Sequence, residues 1–124
     1  MIPYSHLSVC CQNEDSSREL KYFERIRNLK EFRQTPEPEI RSSGYIIDTV
    51  EAAIWSLIST DNFRDALLKA VNLGGDTDTI AAIAGGLAGL YYGYDNIPGD
   101  WLAVIRRRRW IEDLYNDTEK VIHR

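Results

Sequence analysis

Apolar positions recur at three- and four-residue steps through most of this chain, the period of amphipathic helices. Leu20, Phe23, Ile26, Leu29 and Phe32 mark a first helix. It opens at Ser16-Ser17-Arg18-Glu19, where Ser16 and Glu19 have capping-box spacing, and Arg25, Arg27, Lys30 and Glu31 fill its wet face. Thr35-Pro36-Glu37-Pro38 ends it, since proline cannot continue a helix and turns the residue before it away from helical backbone. The linker Arg41-Ser42-Ser43-Gly44 leads to a second helix, about Ile47 to Ser59, with Val50, Ala53, Ile54, Leu57 and Ile58 as its buried stripe. Asp48 and Glu51 stand out on it. Asp48 reads most simply as a carboxylate complementing the helix dipole, and Trp55 as core. A third helix runs from about Phe63 to Leu73, capped by Thr60 or Asp61, with Phe63, Ala66, Leu67, Ala70 and Val71 inward. Beyond Gly93, Asp95 to Gly99 is a turn by composition. Pro98 suits the first turn of a short helix that points Trp101, Leu102 and Ile105 inward. Trp110, Ile111, Leu114 and Val121 outline a last amphipathic helix.

One stretch departs from this rhythm. Val71-Asn72-Leu73-Gly74-Gly75-Asp76-Thr77-Asp78-Thr79 is a helix end, a paired-glycine turn and a burst of oxygen-bearing side chains. From Ile80 the residues are nearly all apolar or tiny. Gly85, Gly86 and Gly89 each cost about 1 kcal/mol relative to alanine inside a helix, and with Ala81, Ala82, Ala84 and Ala88 they let other helices come close. A central helix, buried all round, is the expectation. The apolar run ends near Tyr92, short of the roughly 20 residues a bilayer crossing needs.

The four residues Asp76 to Thr79 admit two readings. Asp and Thr are good helix N-caps, and carboxylates are favoured at that pole of the helix. Two carboxylates so close also repel, unless one is protonated or a cation lies between them. Oxygen-only ligands suit Mg²⁺, Mn²⁺ or Ca²⁺. Spacing alone fits both a cap and a metal site.

The chain has 124 residues, about one domain's length. Its 44% apolar and 27% charged content are ordinary for a globular protein, and a net charge of -4 gives no electrostatic reason to bind nucleic acid. Cys10 and Cys11 are adjacent, so no disulfide framework exists, which suits a reducing compartment. With no basic segment followed by an apolar run at the N-terminus, a cytoplasmic location is expected. Cys10, Cys11 and His6 read as inert residues of an irregular segment over 1–16. Arg106 to Arg109, the one basic run, reads as a solvated helix end in preference to a phosphate contact.

Asn72-Leu73-Gly74-Gly75-Asp76-Thr77-Asp78-Thr79, continuing into Ala82 to Gly85 and Ala88 to Gly93, resembles the C-terminal signature of the ADP-ribosylglycohydrolase family. Ser43 to Trp55 resembles a second block of that family, and Phe63 to Ala66 and Ile97 to Leu102 two more. The resemblance runs in order from about Tyr22 to about Tyr115. It implies an all-α fold: a compact orthogonal bundle of about five helices around the Gly/Ala-rich helix, spanning 17–124 and forming part of a larger ADP-ribosylglycohydrolase domain. It also implies a dinuclear Mg²⁺ or Mn²⁺ site with Asp76, Asp78 and Thr79 as ligands, Asp78 being the one shared by both ions. Ser43, Gly44, Tyr45 and Gly75 become substrate-side residues, at a glycine-bearing helix entrance of the kind that suits anions or ribose. From the residues alone, 43–45 is a plain loop with Tyr45 as a core anchor. Family enzymes are longer, and their N-terminal half carries further Thr/Ser and Asp ligands. This chain has no Thr-Asp-Asp or Ser-Asp-Asp, so it is expected to be the C-terminal portion. The implied activity is hydrolysis of the bond between ADP-ribose and a protein side chain or small molecule, assisted by a complementary N-terminal chain or a homodimer. The competing expectation is an inactive helical remnant that binds ADP-ribose or a protein.

Overall fold

In the computed structural model, residues 21–122 are described. The capping box at Ser16 and Glu19, Leu20, His6 and the Cys10-Cys11 pair lie outside them. The described residues hold no strand and seven α-helices: α1 (Glu24–Arg27), α2 (Leu29–Phe32), α3 (Ile46–Ile58), α4 (Phe63–Asn72), α5 (Thr77–Tyr92), α6 (Gly99–Val104) and α7 (Arg108–Ile122). Short 3-10 turns cover Lys21–Phe23, Glu37–Glu39 and Tyr94–Asn96. None of these helices is long and apolar enough to cross a membrane. The architecture is all-α, as expected.

The first expected helix is broken. Asn28 leaves helical backbone (φ -112°, ψ 84°) and its side-chain oxygen accepts the Glu31 N–H at 3.4 Å. Asparagine offers the backbone such a local partner and so competes with the helix. Arg25, expected on the wet face, stays exposed but reaches back to the protein. Its guanidinium donates to Glu51 Oε2 at 3.0 Å and to the Glu39 carbonyl at 3.4 Å, and lies over the Phe32 ring.

Three helices make the core. α5 packs against both α3 and α4, which also pack against each other. Their contact surfaces are alanine: Ala52 and Ala53 of α3, Ala66 and Ala70 of α4, and Ala84 and Ala88 of α5 are all fully buried. Small side chains permit this close approach. Ile80, Trp55, Phe32 and Ile40 fill the space around one end, and Phe63 meets the edge of Trp101 at the other, ring centroids 6.3 Å apart.

Several expectations shift. The buried stripe of α3 is rotated: Thr49, Ala52, Ala53 and Ser56 face inward, while Ile54, Leu57 and Ile58 are half-buried. The cap of α4 is Asn62, whose side chain accepts the Asp65 N–H at 2.8 Å, and not Thr60 or Asp61. Val71 is exposed. α5 is central but not buried all round. Its inward line is Ile80, Ala84 and Ala88, whereas Leu90 and Tyr91 are 87% and 76% exposed. Gly85 lies against Leu67, but a Cβ on Gly86 or Gly89 would touch nothing. α7 is amphipathic as expected, yet Trp110, Ile111, Leu114 and Val121 are all exposed, as is Ile105 before it. The arginine run sits at the start of α7, where Arg108 pairs with Glu112 at 2.7 Å.

Candidate functional site

Two loops meet where α3 and α5 begin. One is 41–45, ahead of α3; the other is 73–76, ahead of α5. Gly74 and Gly75 take left-handed backbone, φ 79° and 66°, and turn the chain sharply at the end of α4. The turn brings the Asp76 N–H to the Ser42 carbonyl, 3.0 Å away. Ser42 Oγ donates to the Leu73 carbonyl at 3.4 Å.

Asp76 occupies the N-cap position of α5, but its side chain accepts no backbone N–H of that helix. Asp76 Oδ1 instead accepts the Thr79 hydroxyl at 2.9 Å. Asp78 is exposed, in the first turn. The neighbouring Asp76 carboxyl, then the N–H groups of Thr79 and of Asp78 itself, hold its carboxyl below the usual carboxylate range. Asp76 and Thr79 are thus joined directly, and Asp78 stands beside them in the same first turn. A simple cap would aim Asp76 at the helix N–H groups, and that bond is not made.

The donor set is oxygen only, the chemistry of a hard divalent ion. Gly44 adds to the fit: a Cβ there would stand 3.5 Å from Asp76 Oδ2, in the space beside the carboxylate. Among the described residues, no three His, Cys, Asp or Glu side chains gather at one point. Two carboxylates and a hydroxyl are therefore a partial shell for an ion that takes about six oxygens.

The other candidates divide. Gly44 and Gly75 adjoin Asp76. Ser43 is committed to the entrance of α3: its Oγ donates to Asp48 Oδ2 at 2.6 Å and accepts the Tyr45 N–H at 3.1 Å, and its carbonyl accepts the Thr49 hydroxyl at 3.2 Å. Tyr45 is no core anchor. It is 57% exposed and lines an open groove of about 630 Å³ with Tyr22, Arg41, Asp48 and Glu51. Glu51 is 6% exposed, and burial pushes its carboxyl up, against the weaker opposing pull of Arg25. The Arg25–Glu51 pair was not legible in the sequence, because Arg25 falls on the wet side of the apolar period and pairs with Glu51 from there.

The family description ADP-ribosylglycohydrolase matches residues 5–124. This chain belongs to that family. Among curated relatives, it is 51% identical over 87 residues to an ADP-ribosylarginine hydrolase, Tri1, of Serratia proteamaculans, covering 70% of this chain and 24% of that protein. It is 48% identical over 63 residues to the ADP-ribosyl-[dinitrogen reductase] glycohydrolase of Rhodospirillum rubrum, covering 51% of this chain and 21% of that one. It is 49% identical over 41 residues to human ADP-ribosylhydrolase ARH3, covering 33% and 11%. The chain thus matches about a quarter of the length of the longest-matching of these relatives.

Proposed function

We propose that this chain supplies one side of a divalent-metal site that hydrolyses the glycosidic bond between ADP-ribose and a protein side chain or small molecule. The observation that carries this reading is the Asp76 carboxylate bonded to Thr79 and turned away from capping its own helix, with Asp78 exposed in the same turn. Asp76, Asp78 and Thr79 would hold Mg²⁺ or Mn²⁺, two ions in the complete site, with Asp78 shared between them. Such ions acidify bound water and steady developing negative charge. The chain's own part is positional. The turn at Gly74 and Gly75 sets Asp76 against the loop ahead of α3, and Asp78 presents an exposed carboxyl in the first turn of α5. Gly44 and Gly75 border Asp76, Tyr45 lines the groove ahead of α3, and these residues would receive the substrate. Ser43 acts there through the loop it braces.

A second reading has an observation of its own. The outward face of α5 and the apolar residues of α7 are exposed, and the ligand shell is partial. These features favour a module that binds ADP-ribose or a partner and acts only beside a complementary chain or a second copy. A cytoplasmic setting fits either reading.

Calorimetric titration of Mn²⁺, then ADP-ribose, into the wild-type chain and Asp78→Ala tests both. On the first reading the wild type binds Mn²⁺ and the variant binds roughly tenfold or more weakly, since affinity follows ligand charge. Indistinguishable Mn²⁺ traces would defeat the metal site. ADP-ribose binding without Mn²⁺ binding would favour the module.

A further inference from the structure

Ser42 carries no side-chain chemistry that a catalytic motif would advertise, yet it touches the 73–76 turn three ways. Its carbonyl accepts the Asp76 N–H at 3.0 Å and its hydroxyl donates to the Leu73 carbonyl. It also abuts Gly75 so closely that a Cβ there would collide with the Ser42 carbonyl oxygen and stand 2.9 Å from its Oγ. Gly74, one residue earlier, has the same left-handed backbone, but a Cβ on it would meet nothing within 4 Å. The two glycines therefore do different work. Gly74 only lets the chain turn. Gly75 lets the turn close onto Ser42.

We propose that the Ser42–Gly75 contact is the positioning element for the Asp76 carboxylate, so that divalent-ion affinity is set from the loop ahead of α3 as well as by the ligands. This rests on the metal reading above. The path is short. Asp76 is held by its own N–H on the Ser42 carbonyl and by the Thr79 hydroxyl on Oδ1, and Gly44 leaves Oδ2 uncrowded. Thr79, and Ile80 whose N–H donates to the Asp76 carbonyl at 3.1 Å, belong to the helix that follows Asp76. The 41–45 loop supplies the tie on the other side, through Ser42, so moving it by the width of a methyl group shifts Asp76 relative to Asp78. Outer-shell contacts of this kind commonly govern metal affinity without touching the ion.

The comparison of Gly74→Ala with Gly75→Ala tests this, because both carry the left-handed backbone strain and only the second carries the collision. Mn²⁺ affinity is read by calorimetry, and helical content and melting temperature by circular dichroism. Gly74→Ala should bind Mn²⁺ within about threefold of wild type, and Gly75→Ala about tenfold or more weakly with its helices intact. Adding Ser42→Ala to Gly75→Ala should not restore binding, because the colliding carbonyl remains; rescue would overturn the role given to that carbonyl. Amide exchange of the wild type needs no variant to fold. The Asp76 N–H should be protected, and saturating Mg²⁺ should slow its exchange several-fold, since coupling between ion and clasp is reciprocal. Equal affinities for the two glycine variants, an unprotected Asp76 amide, or exchange indifferent to Mg²⁺ would each overturn the positioning role. A wild type that binds neither ion would remove the metal reading and the positioning role together. A wild type that binds, with variants that match each other, removes the positioning role alone.

Discussion

Ile80 and Leu90 sit on one helix, ten residues apart, and should answer oppositely to truncation. Ile80 is fully buried against the alanine faces of α3 and α4, while Leu90 is 87% exposed. Ile80→Ala removes three carbons from that core, a transfer cost of about 2.4 kcal/mol at about 0.8 per group. The alanines beside it are too short to refill the space, and Trp55, Phe32 and Ile40 are already packed in the same cluster, so a cavity penalty is added. The total should fall in the upper half of the ~2–5 kcal/mol seen for such truncations. Leu90→Ala removes as many carbons from solvent and should change stability by no more than about 0.5 kcal/mol. Urea unfolding followed by circular dichroism measures both, with the slope checked for constancy so that midpoints report stability. Comparable losses at the two positions would refute the one-sided burial of α5. A larger loss at Leu90 would mean that its outward face is covered in solution.

Three more outcomes follow from the same geometry. Gly86→Ala should stabilise the chain by about 0.5–1 kcal/mol, because a helix-interior glycine with open space around it gains from a Cβ; a lower midpoint in the same urea assay would show that something packs there. Asn62→Ala should cost about 1 kcal/mol through loss of the α4 cap, and an unchanged midpoint would discount the Asn62–Asp65 bond. Burial raises the Glu51 carboxyl above glutamate's ordinary 4.5, so the folded state holds this proton more tightly than the unfolded state. Its contribution is full below pH 4.5 and is lost as pH rises through the raised value. Glu51→Gln should remove that loss from the pH–stability curve, and a curve of unchanged shape would reject the assignment.

How much of this was legible depended on whether the signal lay in side-chain type. α4 and the start of α5 were readable because glycines and small polar residues punctuate them. The Asp76-Thr77-Asp78-Thr79 cluster was conspicuous for the same reason, and the structure bonds Thr79 to Asp76 with Asp78 exposed in the same turn. The buried face of α3 was misjudged because Thr49 and Ser56 count as polar. Their hydroxyls donate to the carbonyls four residues back, at 3.0 and 2.8 Å, which lets them pass as small core residues. The break at Asn28 was invisible because apolar positions keep their period on both sides of it. Ser42 was passed over as linker. Its decisive group is a backbone carbonyl, and every residue has one.

The bare flank of α5 and the naked apolar side of α7 have a thermodynamic corollary. A molecule that covers these surfaces engages only the native form, so it draws the folding equilibrium towards itself by mass action. At a hundredfold excess over its dissociation constant it adds about 2.7 kcal/mol, an appreciable fraction of the roughly 5–15 kcal/mol that holds a typical domain together. The midpoint of a melt would then report how much of that molecule is in the tube as much as the chain's own sequence.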